Sequence, residues 1–182
     1  MRRFAVLFPA FVLVILLSGG SSLPALGQDT LLIEFEIKDQ LDRLHTDEDC
    51  AGRVVIVVGF DRKGSDFRDA WVGELRDSLR SPAGTCETEV LPVATLKGVP
   101  FFLKGFLRDK FPKEADRWML LDWKGEFTKA YSFTPDSCSI LVFDPEGILR
   151  CRESAAELDH AALGRLLECA RGLGVGQRPD KS

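Results

Sequence analysis

Gly52-Arg53-Val54-Val55-Ile56-Val57-Val58-Gly59-Phe60-Asp61-Arg62-Lys63-Gly64-Ser65-Asp66-Phe67 decides how this chain is read. Residues 54–58 are an unbroken β-branched run. Such a run, without polar alternation, suits a strand covered on both faces at the centre of a sheet flanked by helices. The polar turn after it leads to Ser65, placed to cap a helix, with Asp66 and Asp69 in the first turn favouring its positive end. Phe67, Ala70, Trp71, Leu75 and Leu79 then fall on one helical face, which Ser81-Pro82 closes.

Working outward, residues 31–37 read as a strand that Asp39-Gln40 turns into a hairpin ending near His45. Downstream, residues 88–96 read as a second central strand, and Pro92 inside it predicts an edge position or a bulge. Residues 100–110 (PFFLKGFLRDK) begin with proline where a helix tolerates it. A short strand follows at 118–121. Strands at 139–143 and 148–152 flank Asp144-Pro145-Glu146-Gly147, whose proline and glycine fit a type I turn and so an antiparallel hairpin. Ser154 and Glu157 have the spacing of a capping box for a last helix through Leu158, Ala162, Leu166 and Cys169, which Gly172 can end. The predicted class is α/β, a central mixed sheet flanked by helices with an N-terminal β-hairpin extension.

Residues 1–27 have the form of a secretory signal peptide: Arg2 and Arg3, an apolar run over 4–17 broken only by Pro9, and a small-x-small site at Ala25-Leu26-Gly27. That run is shorter than the about 20 residues a bilayer span needs. Cleavage is expected after Gly27, export to the periplasm follows, and 174–182 is expected to be a disordered tail beyond a single domain at 28–173. Losing the two leader arginines leaves 22 basic against 28 acidic side chains, a formal net charge of −6. An acidic chain without a basic stripe is a poor match for a phosphate backbone, so nucleic acid is not an expected partner. No later stretch approaches membrane-spanning length.

The element order is also the plan of the thioredoxin fold, and the wording of the chain adds to it. Residues 35–40 (FEIKDQ) and 52–58 (GRVVIVV) resemble the opening of redoxin and peroxiredoxin-like domains, where a Leu-x-Asp-x-x-Gly hairpin leads into a hydrophobic strand. Residues 121–127 (LDWKGEF), Ala130-Tyr131 and 140–147 (ILVFDPEG) are similar to the second half of those domains. Within that superfamily the chain most resembles the small YtfJ-like periplasmic group.

The resemblance implies a nucleophilic cysteine in the loop after the first central strand, where a helix N-terminus favours the thiolate. Here that loop is 59–67, without sulfur, and no Cys-x-x-Cys pair exists anywhere in the chain. It also implies a cis-proline just before the first strand of the final hairpin. Counting back from Asp144 puts Cys138 there, with Pro135 three residues earlier.

The five cysteines are Cys50, Cys86, Cys138, Cys151 and Cys169, and with only His45 and His160 they give no metal-ligand spacing. No metal or other cofactor is expected. Cys50 and Cys86 each precede a central strand, and parallel neighbours would set them at one end of the sheet, so a Cys50–Cys86 disulfide is proposed. Cys151 and Cys169 read first as buried free thiols, with Cys151–Cys169 and Cys138–Cys151 bridges as alternatives.

Cys138 reads first as a small residue in the place of proline and, as the alternative, as a relocated nucleophile. Arg62, Lys63, Gly64 and Ser65 form the candidate binding groove, since a loop ending at a helix N-terminus attracts anions. The ordinary reading is a charged turn. Phe101, Phe102, Phe106 and Phe111 read as a satellite core under an inserted helix, or else as an apolar partner surface. The expected function is an exported thioredoxin-fold protein without the standard dithiol site, a binding or accessory module for a periplasmic protein or small ligand. The alternative is an atypical thiol oxidoreductase or peroxidase-like enzyme acting through Cys138.

Overall fold

The structure, a computed structural model, describes residues 29–80 and 88–174. The leader, the Ser81-Pro82 helix stop, Cys86 and the tail after 174 lie outside the described residues. A short hairpin of β1 (Glu36–Lys38) and β2 (Leu44–Thr46) precedes β3 (Val54–Phe60), α1 (Ser65–Ser78) and β4 (Thr88–Thr95). A 3-10 turn at Phe101–Leu103 runs into α2 (Lys104–Lys110). Then come β5 (Leu120–Asp122), α3 (Glu126–Tyr131), β6 (Cys138–Phe143), β7 (Leu149–Ala155) and α4 (His160–Gly174). The five-stranded sheet has the order β5-β4-β3-β6-β7. β3, β4 and β5 are parallel, and β6 and β7 run antiparallel to their neighbours.

The apolar run does what its composition requires. Every residue of β3 is buried. Val54, Ile56, Val58 and Phe60 face a layer with α1 and α4, while Val55 and Val57 face the hairpin and α3. β6 divides likewise, with Ile140 and Val142 on one side and Leu141 and Phe143 on the other. Two layers share one sheet, so the central strands carry both cores.

Several expectations are corrected. β4 is an inner strand despite Pro92, because β5 pairs only with Val93 to Thr95 and leaves the earlier part of β4 uncovered. Val90, two residues before Pro92 and pointing the same way, offers its carbonyl to Arg76 rather than to a strand. The proline's missing N–H therefore falls where no partner waits. At the N-terminus Leu31 makes an isolated antiparallel bridge to Ile148, and the β1 ladder begins at Glu36. Tyr131 Oη accepts from Ile33 N (2.7 Å) and donates to Leu31 O (2.9 Å), and Asp47 accepts from Phe35 N, so side chains take those backbone groups.

The last helix starts at His160, capped by Asp159, whose carboxylate accepts from Ala161 N (2.8 Å). Ser154 lies in β7, where its hydroxyl accepts from Thr134 Oγ1, so the Ser154–Glu157 box does not form. In α1, Ala70 is exposed and Arg68 takes the place expected of it on the buried face. No helix among the described residues is long and apolar enough to cross a membrane.

Candidate functional site

Register builds the site. β3 and β6 pair Phe60 with Cys138, which brings the loop leaving β3 against the segment entering β6. Cys138 is the first residue of β6 rather than the residue before it, a correction to the count from Asp144. Asp61 ties the two segments together. Its Oδ1 accepts from Gly64 N (2.8 Å) and Lys63 N (3.1 Å), and its Oδ2 accepts from Asp136 N (2.8 Å). Burial works against the Asp61 charge, but these three N–H donors outweigh it and hold the carboxyl below its ordinary value.

Of the four groove residues Gly64 is set directly against Cys138, and most polar groups of the turn are engaged within it or with Asp136. Lys63 Nζ pairs with Asp136 at 2.6 Å. Ser65 Oγ donates to Arg62 O (2.6 Å) instead of capping the helix, whose N-cap is Gly64. Gly64 is buried, and a Cβ there would stand 2.4 Å from Ser137 O, so only glycine allows this approach. The Arg62 side chain is exposed and has no ion-pair partner among the described residues. The amides of Ser65, Asp66 and Phe67 that open the helix are taken by the main-chain carbonyls of Asp61, Lys63 and Gly64, and the Asp61 carboxylate takes the two amides before them.

Cys138 is fully buried, and its thiol faces Gly64 O at 3.5 Å. Burial pushes it up to about 12, against the pull of Arg68 and with a small push from Asp61. Arg68 itself is buried over the Phe60 ring and pairs with Asp69, so its charge is largely spent there. Sequence reading missed Arg68 because a charged residue on an apolar helical stripe looks like a solvated neighbour. Asp61 was visible as part of a charged turn. Its spacing to Gly64, from strand exit to helix entry, is the signal that could have marked it as the anchor.

Among the other cysteines, Cys151 and Cys169 form a disulfide with Cα atoms 6.6 Å apart, correcting the expectation of two free thiols. Cys151 pairs in register with Val142 and so lies on the α4 side of β7, within reach of that helix. The bridge also leaves Cys151 unable to pair with Cys138. Cys50 is a free, buried thiol that donates to Thr46 O at 3.8 Å. Burial, with Glu89 and Asp49 nearby, pushes it up to about 12. Its expected partner Cys86 lies outside the described residues. No group of three or more potential metal ligands occurs among the described residues.

Away from the cysteines a cavity of about 430 Å³ opens between α1 and Trp118. In its lining Arg68 and Arg117 share Asp69, Arg80 pairs with Asp77, and Arg76 donates to the main-chain carbonyl of Asp116 (2.7 Å).

Solved structures share this fold. The exposed lipoprotein thioredoxin Etrx1 of Streptococcus pneumoniae strain TIGR4 superposes with a TM-score of 0.57 at 15% identity, over 75% of this chain and 98% of that one. The chain has the thioredoxin fold. The thioredoxin domain of a thiol-disulfide oxidoreductase from Bacteroides vulgatus gives 0.54 at 17% identity, over 82% and 99%. A thiol:disulfide interchange protein of the thioredoxin family from Chlorobium tepidum TLS gives 0.53 at 13%, over 79% and 97%. No family model and no curated protein matches the sequence. No peptide bond among the described residues is cis.

Proposed function

We propose that this protein is an exported, thioredoxin-fold binding or accessory module, related to the YtfJ-like periplasmic group, that performs no thiol-disulfide exchange. The observation that carries the reading is the state of Cys138: fully buried, directed at Gly64 O, and raised to about 12 by that burial. A nucleophilic cysteine needs exposure and a stabilised thiolate, and this one has neither. The Cys151–Cys169 disulfide supports export, since such bonds persist in oxidising compartments. The rim around Arg62, next to the paired Lys63 and Asp136, is the partner-facing part of the site. Gly64, Ser65 and Cys138 hold it in shape.

Maleimide labelling of the folded, unreduced protein, followed by peptide mapping, tests this directly. Cys138 is expected to stay unmodified in the native state and to react once the protein is denatured. Insulin reduction and peroxide consumption are expected to match the uncatalysed rate. Turnover that disappears in Cys138→Ser would replace this reading with the enzymatic one.

A further inference from the structure

The helix after β4 is inside out. Phe101, Phe102 and Phe106 are 86%, 80% and 61% exposed, and Leu103 joins them at the surface. No residue of the 3-10 turn or of α2 is buried. The side chains turned toward the body are the ones expected outside: Lys104 lies over the Trp123 ring at 5.1 Å, and Arg108 pairs with Asp42 at 2.7 Å. The predicted satellite core is therefore absent from this segment, although Phe111 packs at its far end. Exposing several large apolar side chains together marks an interaction surface.

Charge selects the partner. Residues 97–113 carry five basic side chains and one acidic one on a chain of formal net charge −4; Arg108 is paired with Asp42 and Lys113 with Asp109, which leaves the ammonium groups of Lys97, Lys104 and Lys110 beside the patch. Lys110 holds its ammonium over the Phe106 ring at 5.0 Å, so cation and apolar surface are interleaved. A projecting aromatic knuckle with ammonium groups at its base matches the boundary between acyl chains and anionic headgroups. We infer that Phe101, Phe102, Leu103 and Phe106 form a peripheral membrane contact that seats the protein on an anionic phospholipid surface, with Lys110 at headgroup level. The inference does not depend on the reading of the Asp61–Cys138 site.

The protein is expressed with its own leader, and the processed form is checked by mass and mixed with vesicles of phosphatidylglycerol and phosphatidylcholine in equal parts. Flotation is expected with these vesicles and not with pure phosphatidylcholine. Phe101→Ser/Phe102→Ser is expected to lower the bound fraction about tenfold, and Lys110→Glu roughly fivefold. All these positions are exposed, so the melting curves of the variants are expected to overlay the parent's. The inference is overturned by absence of flotation, by equal binding to neutral vesicles, or by binding that the double serine variant leaves intact. It is equally overturned if sedimentation shows a parent dimer that the serine variant dissolves, since the patch would then join two copies of this chain.

Discussion

Four aspartates each hold a turn that follows a strand or an extended bridge. Asp39 closes the β1–β2 turn, accepting from Leu41 N and Arg43 N and from the Arg43 and His45 side chains. Asp122 receives Gly125 N, Glu126 N and Phe127 N and thereby starts α3. Asp144 receives Glu146 N, Ile148 N and Arg150 Nε. Asp61 does the same at the site. A carboxylate satisfies several otherwise orphaned N–H groups at once, which is why each is tolerated in a low-exposure position.

At Asp39, burial opposes ionisation, but the donors from Arg43, His45 and Leu41 win and lower its pKa. A lowered folded-state value stabilises the fold above the ordinary carboxylate range, and that stabilisation is lost as pH falls through the folded value. Asp39→Asn is therefore expected to cost about 1–3 kcal/mol at pH 7. The gap between it and the parent should shrink below about pH 4. Urea midpoints at the two pH values check this, and a gap that stays constant would show that the charge at Asp39 contributes nothing. The sequence displayed all four aspartates. Their shared role was hidden because the groups they bind are main-chain amides, which any residue supplies.

Among the elements, β3, α1 and the β6–β7 hairpin were legible because their patterns are periodic and long. α3 was not, since Glu126–Tyr131 is short and its start depends on Asp122, which lies outside the helix. Gln40 shows the same limit. Its side chain accepts from Met119 N (2.9 Å) and donates to Pro112 O and Arg117 O, fastening the hairpin to the entry of β5. No local pattern announces a contact over that separation.

The β7–α4 disulfide is an element-level staple. It spans 18 residues, and cross-linking a loop of that size stabilises a fold by about 3 kcal/mol. Cys151→Ala/Cys169→Ala is expected to lower the melting temperature without changing the far-ultraviolet spectrum of the folded state. An unchanged melting temperature would mean that the helix docks by its apolar face alone. That face, with Leu163, Leu166, Leu167 and Ala170, already meets the sheet.

Across the whole molecule one sheet serves two cores, and the central strand contributes alternate side chains to each. Ile56, fully buried in β3, is paired to β4 through Val90 and to β6 through Val142. Ile56→Ala is expected to cost about 2–5 kcal/mol, measured by denaturant unfolding with an unchanged slope. A cost under about 1 kcal/mol would mean that the layer of α1 and α4 closes around the lost volume.

The sequence by itself determined the central strand, the order of the large elements, the mixed sheet and the absence of a Cys-x-x-Cys pair. Those follow from side-chain periodicity and from counting, which are local properties. Tertiary contacts were needed to show that Asp61 ties the β3 exit to Asp136, that Cys138 is sealed against Gly64, that Cys151 meets Cys169, and that the phenylalanines before and within α2 face outward. Each of these depends on which surfaces meet across the fold, and the free energy of burial is set by those meetings rather than by neighbours in the chain.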